Sequence, residues 1–153
     1  MKYKRLQEEE LHKLQKEFVD FLVINGITAD DWIKLKAEAP QRASGIIDSF
    51  SDVIYHGAMQ SIQYVQVTTP QEIMVFYCQP NQIVLVGIST DDKTIDMTAL
   101  HSYEIFTKHP TKFHVYTQTK PYRGERNVEV FEMIEKGAVP TDGKLFQALL
   151  LAL

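Results

Sequence analysis

Apolar positions recur along the chain with two different periods. Leu11, Leu14, Phe18 and Phe21, with Leu22, stand three and four residues apart, which stacks them on one helix face and predicts a helix running to about Ile24. Asn25-Gly26 supplies residues that tolerate the left-handed conformation of a helix end. Thr28 can cap a second, short helix presenting Trp32 and Leu35, with Asp30 and Asp31 placed where the helix dipole favours them. That helix stops before Pro40, which can itself open a third carrying Ala43, Ile47, Phe50 and Ile54 as far as Gly57. The period then changes. Ser61–Thr68, Ile73–Cys78, Ile83–Ile88 and Phe113–Thr119 are β-branched and aromatic, with Thr69-Pro70 and Gln79-Pro80-Asn81-Gln82 as breaks, the pattern of antiparallel strands and a hairpin. The unbroken apolar run Ile83–Ile88 predicts a central strand covered on both faces. Residues Thr94–His109 fit either a short strand or a helical turn carrying Leu100, Tyr103 and Phe106, capped by Thr98.

Helical spacing returns near the end. Val128, Phe131 and Ile134 share a face, and Gly137 can close that helix. Thr141 or Asp142 can cap a last helix holding Leu145, Phe146, Leu149, Leu150 and Leu153, apolar nearly all round and therefore expected to be buried, in the core or between subunits. The expected fold is a single α+β domain over 1–153. Helices at 1–57 and 120–153 flank a central antiparallel sheet of about four strands at 58–119, with the C-terminal helices packed on it.

Charge supports this division. Residues 1–57 hold eight basic and ten acidic side chains, 58–119 three and five, and 120–153 five and five. The charge-poor middle is what a sheet with a buried face requires. The net charge of −4 on 153 residues argues against strong nonspecific nucleic-acid binding, which needs surplus positive charge. One cysteine, Cys78, excludes an internal disulfide and a multi-cysteine zinc site. Glu8, Glu9 and Glu10 stand where a signal peptide needs an apolar run, and no stretch approaches the roughly 20 apolar residues of a membrane span, so a cytoplasmic protein is expected.

Candidate chemistry is sparse. His101, His109 and His114 lack metal-ligand spacing, and no His-Glu-x-x-His or Cys-x-x-Cys run occurs, so no metal or cofactor is expected. On a strand, His114 and Tyr116 would share a face; nucleophilic use of Cys78 needs a base, for which His114 is the candidate, although nothing local activates that thiol. The acidic turn Asp91–Asp96 lacks the glycine and distal glutamate of a calcium loop. Ser49 and Ser51 fall on a helix, not on a nucleophile elbow. The strongest polar stretch is Lys120–Arg126, where Lys120, Tyr122, Arg123 and Arg126, with His114 nearby, could receive an anion or a partner ahead of a helix N-terminus. The terminal leucines Leu145, Leu149, Leu150 and Leu153 offer a contact between copies.

Phe21–Trp32, reading Phe-Leu-Val-Ile-Asn-Gly-Ile-Thr-Ala-Asp-Asp-Trp, and Asp142-Gly143-Lys144-Leu145-Phe146 together resemble a family of small uncharacterised proteins from Bacteroidetes-type bacteria. The resemblance implies a cytoplasmic bacterial protein and carries over no catalytic or binding residue. Without a catalytic motif, the preferred expectation is a non-enzymatic interaction or structural module, self-associating through its last helix. The alternative is a small-molecule or anion site, enzymatic or not, at the Lys120–Arg126 loop.

Overall fold

The computed structural model describes residues 1–99 and 102–153, apart from the side chains of Ser102, Tyr103 and Ile105. Leu100 and His101, and the side chain of Tyr103, therefore lie outside the described residues. The chain forms two compact units, Met1–Ala58 and Met59–Leu153.

The first unit is helical. It contains α1 (Glu8–Lys13), α2 (Gln15–Ile24), α3 (Ala29–Glu38) and most of α4 (Pro40–Ser61). The single helix expected up to Ile24 is interrupted at Leu14, whose backbone leaves the helical region at φ −101° and ψ 22°. The predicted caps are present. Gly26 takes φ 74°, and Ile27 N–H returns to Leu22 C=O at 2.8 Å. The Thr28 hydroxyl accepts from Asp31 N–H at 3.1 Å, while the Asp31 carboxylate accepts from Thr28 N–H at 3.2 Å, a reciprocal capping box. Phe18 packs its ring on Trp32 at 5.2 Å and on Phe50 at 5.0 Å, the centre of this small core. Ser51 is buried; its hydroxyl donates to Ile47 C=O and accepts Leu6 N–H, so it serves structure.

The second unit is a five-stranded antiparallel sheet with helices. Its strands are β1 (Tyr64–Thr69), β2 (Glu72–Cys78), β3 (Gln82–Thr90), β4 (Phe113–Pro121) and β5 (Val139–Thr141), in the order β4-β3-β2-β1-β5. About four strands were expected, and β5 is the addition. Three residues including Pro140 give little period-2 signal, and proline is tolerated there because an edge strand does not need every N–H. As expected, β3 is interior, with Ile83, Val86 and Ile88 buried. Between β3 and β4, α5 (Ser102–Lys108) and a 3-10 turn at Pro110–Lys112 precede the last long strand. The hydroxyl and N–H of Thr98 both bond the Asp96 carboxylate, as those of Thr94 bond Asp92; the cap expected at Thr98 falls on Leu100 and His101, outside the described residues.

The register fixes the two sheet faces. Tyr64, Val75, Tyr77, Val86 and Ile88 share one face with Val115 and Thr117. There α7 (Lys144–Leu150) contributes Phe146 and Leu149 to a core that includes Ile73, Ile95 and Met97. Val65, Phe76, Cys78, Ile83 and Gly87 occupy the other face with Tyr116 and Lys120. The helix α6 (Arg126–Glu135) does not bury Val128, Phe131 and Ile134 deepest, as its periodicity predicted; Asn127, Glu129 and Val130 are its buried residues.

Candidate functional site

The Lys120–Arg126 loop joins β4 to α6, and the structure gives its members different tasks. Arg126 is the first residue of α6, and its guanidinium points away from solvent-facing chemistry. It donates to Cys78 C=O at 3.0 and 3.2 Å, to Met59 C=O at 3.1 Å, to Ile62 C=O, and to Asn127 Oδ1. These carbonyls lie in the last turn of α4, ahead of β1 and at the end of β2; that of Met59 also accepts Ile62 N–H at 3.2 Å. Tyr122 works beside it, donating its phenol to Gln79 C=O at 2.6 Å. Burial pushes the Tyr122 phenol up to about 12, with smaller electrostatic contributions from Cys78, Arg126 and Glu129. Both side chains fasten the loop to the β2–β3 turn.

Arg123 faces outward and is neutralised. Its Nη2 lies 3.2 Å from Glu132 and its Nε 3.6 Å from Glu129, while its backbone N–H donates to Glu129 at 2.8 Å. Glu129 has only 6% of its side chain exposed and sits in the first turns of α6, where the dipole favours a carboxylate. Neither Glu129 nor Glu132 was singled out in the sequence; each looks there like solvent-side charge on a helix.

Beside this clamp lies a cavity of about 300 Å3 between α6 and the sheet. Val67 and Phe76 from the sheet, with Met133 and Ala138, give it apolar walls; Lys120, Lys136 and the Arg123 clamp give it a charged rim. Among the described residues, neither Lys120 nor Lys136 is held in an ion pair. Lys136, following α6 and next to Gly137, was not foreseen: an isolated surface lysine carries no sequence signal.

The remaining candidates lie elsewhere. His114 is exposed on β4, stacked on Tyr116 with ring centres 5.9 Å apart. It is six residues from Lys120 on one strand, about 20 Å at the strand rise, and so does not join the loop within one chain. The same spacing separates it from Cys78, because Cys78, Ile83 and Lys120 are aligned in register. Cys78 is buried, and burial raises its thiol pKa, with the Arg126 charge opposing less strongly. Tyr116 lies over Gly87, where any Cβ would meet its Cζ at 2.2 Å, and thereby reaches Glu72 Oε2 at 2.5 Å. Burial first, then this bond, push the Tyr116 phenol up to about 12.

Among the terminal leucines, Leu149 is 1% exposed inside the core, and Leu145 packs partly buried against it. Both line an apolar cavity of about 250 Å3 over Ile73 and Ile88. Leu149 is thus a core residue and is not placed for a contact between copies, because α7 turns it onto the sheet. Leu150 and Leu153 remain exposed, together with Leu151. Among the described residues, no group of three or more His, Cys, Asp or Glu side chains is gathered as metal ligands, and no helix is long and apolar enough to cross a membrane.

No curated protein and no solved structure matches the chain. One family model does match, and it covers every residue: over 1–153 the chain belongs to the family of unknown function DUF6495.

Proposed function

We propose that this chain is a cytoplasmic, non-enzymatic binding module whose ligand is a small anion with an apolar body, held between α6 and the sheet. The observation that carries this is the α6 cavity itself: apolar walls from Val67, Phe76 and Met133 beneath two lysines, Lys120 and Lys136, that no carboxylate neutralises among the described residues. A negative headgroup between the lysines and a hydrocarbon or ring against the walls would satisfy both parts, as ligand sites combine apolar lining with a few placed polar groups. Holding is favoured over transforming because the two carboxylates at the rim are engaged by Arg123, and among the described residues no serine, cysteine or histidine lines the space. The lone, buried Cys78 suits a reducing compartment.

Anilinonaphthalene sulfonate, an aromatic anion, tests this directly by its fluorescence on titration. Replacing both lysines (Lys120→Ala with Lys136→Ala) is expected to weaken binding roughly thirty-fold, at about 1 kcal/mol per charged contact. Added salt should weaken the parent protein's binding and leave the double variant nearly indifferent. Equal affinity in parent and double variant would place the probe elsewhere and overturn the proposal.

A further inference from the structure

The sheet has two edges of very different character. At one end β5 is three residues long and contains Pro140, both features that discourage strand addition. At the other end β4 runs nine residues, Phe113–Pro121, paired one-to-one with β3 from Thr90↔Phe113 to Gln82↔Pro121 without a bulge. Thr117 to Pro121 are exposed, and among the described residues no strand pairs with the outer edge of β4. Between His114 and Lys120 this edge has no charged side chain and no proline. Lys120 and Pro121 guard its end; its middle is unguarded.

We propose that β4 is a homodimer edge, pairing antiparallel with β4 of a second copy about a two-fold axis through Thr117. The strand's own sequence argues for a copy of itself. A two-fold perpendicular to the sheet requires opposed residues to share a face, and centring it on Thr117 overlaps all nine residues. One face then pairs Phe113 with Pro121, Val115 with Thr119 and Thr117 with Thr117, all apolar or β-branched contacts of the kind that stabilise antiparallel neighbours. The other face pairs Tyr116 with Gln118 and His114 with Lys120. No carboxylate lies along the strand to be set against another. Two five-stranded sheets thereby become one continuous sheet with both long edges covered. The arrangement also sets the partner's His114 beside Lys120, joining across the axis two residues that one chain holds apart.

Light scattering and sedimentation on the full chain at about 100 µM test the pairing, since a dimer's population depends on concentration. The parent protein is expected to be a dimer, and Thr117→Lys, which opposes two like charges at the axis, a folded monomer by circular dichroism. Thr117→Cys in a Cys78→Ser background should oxidise to a covalent dimer at a rate far above that of Thr119→Cys in the same background. A parent that stays monomeric, or a Thr117→Lys variant as dimeric as the parent, overturns the proposal. So does cross-linking without preference for position 117. These readouts are independent of anion binding, so the two proposals stand or fall separately.

Discussion

At the scale of single residues, two tyrosines show how this sheet stores polar groups at its margins. Tyr116 and Tyr122 are both held as neutral phenols, their pKa raised from 10.0 to about 12, in each case chiefly by burial. A group whose folded pKa is raised binds its proton more tightly in the fold than in the unfolded chain. Its contribution to stability is therefore complete below pH 10 and disappears as pH climbs toward about 12. Absorbance at the phenolate band should show late titration from Tyr116 and Tyr122. Tyr116→Phe and Tyr122→Phe should each remove one late component, and Glu72→Gln should move that of Tyr116 down, because the carboxylate that accepts its hydrogen bond raises it further. Variants that leave the late part of the titration unchanged would contradict the geometry.

At the scale of elements, positive-φ glycines mark where the second unit turns. Gly143 caps α7 at φ 82°, and a Cβ there would stand 2.5 Å from Tyr64 Cε2. Tyr64 is in turn stacked on Tyr77 at 4.7 Å and against Phe146 at 5.4 Å, so it has no room to retreat. Gly137 has φ 112° but nothing within 4 Å. Gly143→Ala should therefore cost about 1–2 kcal/mol of backbone strain plus a displaced ring, and Gly137→Ala the strain alone. Urea midpoints that fall more for Gly143→Ala than for Gly137→Ala would verify this. The same elements show what a sequence discloses. The helix ends at Gly26 and Thr28, the β2–β3 hairpin and the interior position of β3 are local matters of period and turn chemistry, and they are legible. β5 is not, because it is defined by register with β1 and not by its own three residues. Nor is the α6 cavity: it needs Val67 and Phe76 from the sheet to meet Lys136 from the end of a helix, contacts that spacing cannot encode. Lys120 and Arg123 were visible as a basic loop, but the carboxylates that neutralise Arg123 were not. Leu149 was visible as apolar, but which side of α7 meets the sheet was not.

At the scale of the whole molecule, each compact unit happens to contain its own reporter. Trp32, the one tryptophan, packs against Phe18 in the helical unit; Cys78, the one cysteine, is buried in the sheet unit. The sheet unit has its core around Val75 and Val86, the helical unit has Phe18 and Phe50 ring to ring, and α4 runs unbroken from Pro40 to Ser61, past the boundary at Ala58. Arg126, within the sheet unit, ties the last turn of that helix to the end of β2, since it bonds Met59 C=O and Cys78 C=O with one guanidinium. Arg126→Ala leaves these carbonyls and that of Ile62 without their charged donor, at a cost of about 3 kcal/mol. Because the loss falls on the sheet unit, Cys78 should become reactive toward a thiol reagent at markedly lower urea, while the Trp32 fluorescence midpoint shifts much less. Arg126→Lys should recover only part of the difference, because an ammonium cannot reproduce the planar fork that spans several carbonyls. Thiol and fluorescence midpoints that move down together by the same amount would contradict this assignment.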